Sequence, residues 1–395
     1  MDPDTILLVA FLLGFGGFLI LFRKRLAIEP IIKIGKVPLL SLVLLRTSVG
    51  ITAMDSLARR YPRLVSAFST AGIVIGFIGM TFVTFEIISS AISFVLSPSP
   101  TGAAALVLPI KAKGVLYVPF VVWLISLGVI VAIHEFAHGV VARLYYVPIK
   151  SSGLAALCAP IPLIPAAFVE PDDKSLSKKS AREQLGVFVA GPFANILLAI
   201  LLIPIVWFCT MPLAEGLYDY QGARIIEVTT DEAYPISSSG ITAGAIVKSI
   251  DDVPIRRVDD FMAALSQKSK DQIITIVSVL DGNSRIDTVA LGPHPAENGA
   301  GYLGVQVESA KSLIEDTWTS QLIVFIHDLL SWLAVLSLGV GLFNLLPLGI
   351  VDGGRMIKLI LHRALPERHA WATYATVSAS CLVVVVLGVV VNFIR

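Results

Sequence analysis

The stretch that decides the fold is Val115–Ala142, VLYVPFVVWLISLGVIVAIHEFAHGVVA, an apolar run long enough to cross a bilayer that carries His134-Glu135-Phe136-Ala137-His138 toward its end. On a helix, positions i and i+4 share one face, so the two imidazoles can reach a single metal ion. Glu135 sits about 100° round from His134, beside that face, where it can act as a base toward water at the metal. Ionisable groups inside an apolar span are costly, so three of them together imply a partner or a function.

The rest of the chain supports a membrane setting. Only 15% of the residues are charged, against about 25% in an average soluble domain, and mean hydropathy is +0.82. A formal net charge of +1 excludes a strongly basic, nucleic-acid-binding surface. Cys158, Cys209 and Cys381 lie far apart and form neither a disulfide framework nor a cysteine zinc site. Apolar runs at 5–22, 66–96, 115–142, 184–209, 320–346 and 372–394 predict a polytopic α-helical membrane protein with about six transmembrane helices. Because Arg23, Lys24 and Arg25 follow the first run rather than precede it, the run reads as a retained helix and not as a cleaved signal. The stretch 37–53 is shorter and carries Arg46, and is expected to be interfacial or re-entrant.

Lys and Arg cluster at 23–25, 59–63, 143–150, 174–182 and 355–368. Assigning these to the cytoplasmic side leaves both termini, 97–114 and 210–319 outside, with Lys111 and Lys113 discordant. The expected divisions are 1–114, N-terminal membrane helices and an interfacial segment; 115–214, core helices with a buried strand loop; 215–310, an inserted soluble α+β module; and 311–395, C-terminal membrane helices. Within the module, Ala223–Val228, Ile273–Leu280, Ile286–Leu291 and Tyr302–Val307 read as strands and Asp259–Leu265 as a short helix. The proline-rich stretch Ala159–Pro171 cannot be a helix interior, and must be buried against protein or pair as a strand.

Catalytic zinc takes three protein ligands and keeps one position open. The best third candidate is Asp352, in Asn344-Leu-Leu-Pro347-Leu-Gly-Ile-Val-Asp352-Gly353-Gly354, which follows the 320–346 run at the depth of His134. Read alone, the same turn is a loop with a capping aspartate.

Taken together, His134–His138 in one span and Asn344-x-x-Pro347-x-x-x-x-Asp352-Gly353 after a later one resemble the site-2 proteases, the membrane metalloproteases of regulated intramembrane proteolysis. Gly191-Pro192-Phe193-Ala194-Asn195 is similar to a signature of that family's intervening helix. Gly153-Leu154 and Phe168-Val169-Glu170-Pro171 are similar to its membrane-embedded strand loop, and Ser239–Ile250 to part of a PDZ domain. The resemblance implies one Zn2+ per chain on His134, His138 and Asp352, with Glu135 as general base. It also implies Asn344 as a donor to substrate or oxyanion, Gly153, Phe168 and Val169 near the substrate, and Asn195 either near the substrate or in a structural hydrogen bond within the bundle. The partners implied are the bilayer and membrane-spanning protein substrates, trimmed first by another protease, with the active site near the cytoplasmic side and the PDZ-like domain outside. Three other readings remain: a catalytically inactive scaffold of the same fold, a membrane zincin with a different third ligand, and a transporter, which would show internal repeats; none is seen.

Overall fold

The computed structural model describes all residues except 1, 23, 25, 35–36, 97–105, 160, 230–233, 295–298 and 395. Residues 97–105 of the expected outer loop, Arg23 and Arg25 of the first basic cluster, and Pro160 of the proline-rich stretch therefore lie outside the described residues. The chain divides into two compact units, Met1–Phe208 with His327–Arg395, and Cys209–Ile326.

The first unit begins with helix α1 (Pro3–Leu21), strands β1 (Leu26–Ile34) and β2 (Val37–Thr47), and helices α2 (Ile51–Arg60) and α3 (Pro62–Leu96). A short parallel pair, Leu106–Leu108 with Val115–Tyr117, precedes α4 (Phe120–Leu144). The 115–142 run is thus helical only from Phe120, because Pro119 stands at the N-cap. Asp4 of α1 accepts hydrogen bonds from the Phe120 N–H (3.0 Å) and the Tyr117 hydroxyl, which ties the two helix starts together. Lys111, discordant in the charge pattern, pairs with Asp2 at 3.3 Å.

Strands β3 (Ile149–Ala159) and β4 (Ile161–Pro171) follow, then α5 (Ala181–Ile205). A capping box starts α5: Ser180 Oγ accepts from the Glu183 N–H, and the Glu183 carboxylate accepts from the Ser180 N–H. The four strands form one antiparallel sheet in the order β1-β2-β3-β4. Its edge position explains how β4 tolerates Pro162, Pro165 and Pro171, since an edge strand need not donate every N–H to a ladder. Within 37–53, expected to be interfacial or re-entrant, Val37–Thr47 is an inner strand paired on both sides, and α2 follows.

The second unit is built on an antiparallel sheet. Its strands are β5 (Tyr218–Val228), β6 (Ile246–Ile250), β7 (Ile273–Leu280), β8 (Asn283–Ala290) and β9 (Val305–Leu313), in the order β8-β7-β6-β5-β9, and the two-residue strand Val253–Pro254 pairs with β6. Helix α6 (Val258–Leu265) packs on it, and Ile225, Val247, Ile250, Phe261, Ile274, Ile276 and Leu303 fill a core separate from that of the first unit. A cleft of about 840 Å³ runs between α6 and the open-edged strand β9, lined by Phe261, Met262, Leu265, Tyr302, Leu303 and Val305.

The chain closes with α7 (Trp318–Asn344), α8 (Asp352–Ala364) and α9 (Glu367–Ile394). Among the described residues six helices are long and apolar enough to cross a membrane: α1, α3, α4, α5, α7 and α9. Their outward faces carry Ile78, Phe82 and Phe85, Ile200 and Leu201, and Val383 and Leu387, all exposed. So large an apolar surface calls for lipid around it. On the inner side, Met80, Val189, Phe193, Ile196, Leu345 and Met356 pack α3 and α5 against the segment around α8.

Candidate metal and catalytic site

Three helices supply the site. His134 and His138 lie one turn apart on α4, Asp352 is the first residue of α8, and α5 runs across the back of both imidazoles. His134 Nε2 and His138 Nε2 are each 3.2 Å from Asp352 Oδ2 and 3.2 Å from one another. All three residues are buried, at 8% exposure each.

This triangle fits a zinc ion. A tetrahedron with edges of 3.2 Å has its centre about 2.0 Å from each vertex, which is the usual Zn–N and Zn–O length. Two imidazoles and a carboxylate are also a catalytic-zinc donor set, leaving a fourth position for a reactant.

Local backbone explains why these side chains converge. Pro347 follows the end of α7 at Asn344, and a tight segment leads into α8. The chain folds back so closely that a Cβ on Gly354 would stand 1.8 Å from the Leu348 carbonyl oxygen. Ser378 of α9 accepts the Gly349 N–H at 2.8 Å and pins the segment. On α5, a Cβ at Gly191 would lie 2.4 Å from His138 Nε2 and 2.6 Å from His134 Nε2, so only glycine lets that helix lie against the pair.

Glu135 is half-buried and accepts a hydrogen bond from the Val169 N–H at 2.8 Å. Since Val169 turns this N–H away from β3, the open edge of β4 faces the glutamate. Phe168, next along β4, is half-buried and registers with Gly153. Gly153 itself sits on the inner strand β3, opposite Arg46 on one side and Phe168 on the other, so its main chain is not open to an added strand. Asn195 is fully buried behind His134, its Nδ2 3.1 Å from His134 Nδ1, a hydrogen bond within the helix bundle. Asn344 is half-buried and its amide donates to the Val340 carbonyl at 2.9 Å; the hydrogen bonds joining the triad do not include it. Neither the Val169–Glu135 bond nor the Val187 carbonyl 2.6 Å from His138 Nδ1 is foreseeable from sequence, because main-chain partners carry no residue-type signal.

Fold and site together define a multi-pass membrane protein with a buried pocket suited to a metal ion. Residues 122–387, more than half of the chain, match Peptidase family M50, and the chain belongs to that family. The match agrees with the resemblance to site-2 proteases drawn from the motifs. Among similar proteins, an uncharacterized protein of Methanocaldococcus jannaschii is 25% identical over 317 residues, covering 78% of this chain and 75% of that protein. A Staphylococcus aureus protein named "putative zinc metalloprotease" is 24% identical over 284 residues, covering 58% of this chain and 63% of its own length, which is under two thirds. Among solved structures, the PDZ domain of an SdrC-like protein from Listeria monocytogenes aligns at 17% identity with a TM-score of 0.20, over 22% of this chain and 88% of that domain.

Proposed function

We propose that this chain is a zinc-dependent intramembrane endopeptidase that cuts transmembrane segments of membrane proteins, as in regulated intramembrane proteolysis. The observation that carries the reading is the buried triangle of His134 Nε2, His138 Nε2 and Asp352 Oδ2, each edge 3.2 Å, with Glu135 adjoining it on α4.

Zinc on these three atoms supplies Lewis-acid activation of water and of the scissile carbonyl. Glu135 accepts a proton from the attacking water as the C–O bond forms, and returns it to the amide nitrogen as the C–N bond breaks. Asn344 spends one amide hydrogen on Val340, which leaves a second for the developing oxyanion. A helical substrate hides its carbonyls in its own hydrogen bonds, so the segment unwinds before attack. The open edge of β4 suits the unwound segment: it adds as a further strand, main chain to main chain, with Phe168 and Val169 alongside. Gly153 supports that edge from the neighbouring strand. The second unit, with its cleft between a helix and an open strand edge, acts as the PDZ-like domain, admitting substrates whose outer parts another protease has removed. In this reading the active site opens toward the cytoplasm and the PDZ-like unit lies on the outer side, following the Lys and Arg distribution.

Glu135→Gln is expected to keep one zinc per chain and stop cleavage of a membrane-helix reporter. Purified wild type without stoichiometric zinc would refute the proposal.

A further inference from the structure

Resting on the zinc reading above, we infer that Asn195 is a positioning residue: its side-chain oxygen selects which nitrogen of His134 is offered to the metal. A neutral imidazole carries one proton, so Nε2 can present a lone pair to the triangle only if the proton is on Nδ1. A buried Nδ1–H requires an acceptor. The side chain 3.1 Å from that nitrogen is the Asn195 amide, at 0% exposure.

The amide stands with Nδ2 toward His134 and with Oδ1 buried and unbonded among the described residues. In that orientation Nδ2 donates to a bare Nδ1, which sends the imidazole proton to Nε2, into the triangle, where it opposes a cation. Rotating the amide half a turn exchanges oxygen and nitrogen at nearly constant shape. Oδ1 then accepts from Nδ1–H, and the Nε2 lone pair faces His138 Nε2 and Asp352 Oδ2. The metal-binding tautomer therefore demands the oxygen at this position.

The second histidine obeys the same logic with a partner that cannot rotate. His138 Nδ1 lies 2.6 Å from the Val187 carbonyl oxygen, which only accepts. Both orienting groups come from α5, and the buried Ser337 of α7 donates to the Asn195 main-chain carbonyl at 2.9 Å, anchoring that turn of helix. Gly-Pro-x-x-Asn at 191–195 thus reads as one device: the glycine admits the histidine pair, and the asparagine orients one of them.

Zinc affinity, measured by competition with a chelator of known strength, tests this in the full-length protein. Asn195→Leu, of similar size and without an acceptor, is expected to weaken zinc binding by about 10–100-fold. Asn195→Asp, which only accepts, is expected to bind at least as tightly as wild type. Wild-type affinity in the Leu variant, or an Asp variant more than tenfold weaker than wild type, would overturn the assignment. If the Leu variant does not fold, the Asp arm decides alone. Failure of the zinc reading itself is distinct, since wild type would then not bind zinc at all.

Discussion

Replacing Gly191 by alanine is the sharpest mechanical test of how the site is assembled. The new Cβ would stand 2.4 Å from His138 Nε2 and 2.6 Å from His134 Cδ2 and Nε2, whereas ordinary contact begins at 3.4 Å. Something must give by about 1 Å, and zinc ligation tolerates displacements of only about 0.2 Å. Retreat of the imidazoles is blocked at their far nitrogens by the Val187 carbonyl and Asn195. Retreat of α5 would disturb Val189 and Phe193, both buried. Overpacking of this kind costs about 1–3 kcal/mol, and here the strain falls on the ligands, so zinc affinity should drop by about 5–150-fold. Competition titration with a chelator, on protein purified in detergent, reads the loss. Gly128→Ala, with nothing within 4 Å of its added Cβ, is the control and should bind as wild type does. A Gly191→Ala protein whose zinc Kd lies within twofold of wild type would refute the packing argument.

Two further changes probe other parts. Val169→Pro removes an N–H that points to the open edge, so the sheet should persist while Glu135 and an added strand lose a donor; kcat/KM on a membrane-helix reporter should fall by about 5–150-fold, as for a lost bond of about 1–3 kcal/mol, with zinc content unchanged. In the second unit Asp251 accepts from Lys268 Nζ at 2.6 Å and from the Thr275 N–H at 2.7 Å, and these bonds lower its pKa, that of Lys268 foremost. Asp251→Ala should speed hydrogen exchange at the Thr275 amide about tenfold, for about 1–1.5 kcal/mol. Because the folded pKa is the depressed one, the wild-type advantage is complete above the unfolded carboxylate pKa and is lost as pH falls through the folded value.

The long apolar helices were legible because a run of about 20 apolar residues has few alternatives, and the His134–His138 spacing because helix geometry converts i,i+4 into proximity. Asp352 was legible as a candidate only by depth and by the turn before it. The strand at Val37–Thr47 escaped because a short continuous apolar run matches a helix segment in composition, and periodicity alone does not separate the two. Gly153 and Asn195 were assigned to the substrate on motif likeness. Their neighbours in the fold, Leu45 and Phe168 for one and His134 for the other, depend on which strands pair and how α5 crosses α4, which no local pattern encodes.

The central claim is that one carboxylate from α8 joins two imidazoles from α4 on a single ion. Zinc-edge X-ray absorption of the purified full-length protein tests it most directly. The account predicts two imidazole nitrogens and oxygen donors at about 2.0 Å, no sulfur, and loss of that signature in Asp352→Ala. Sulfur ligation, or an unchanged spectrum in the Asp352 variant, would contradict it.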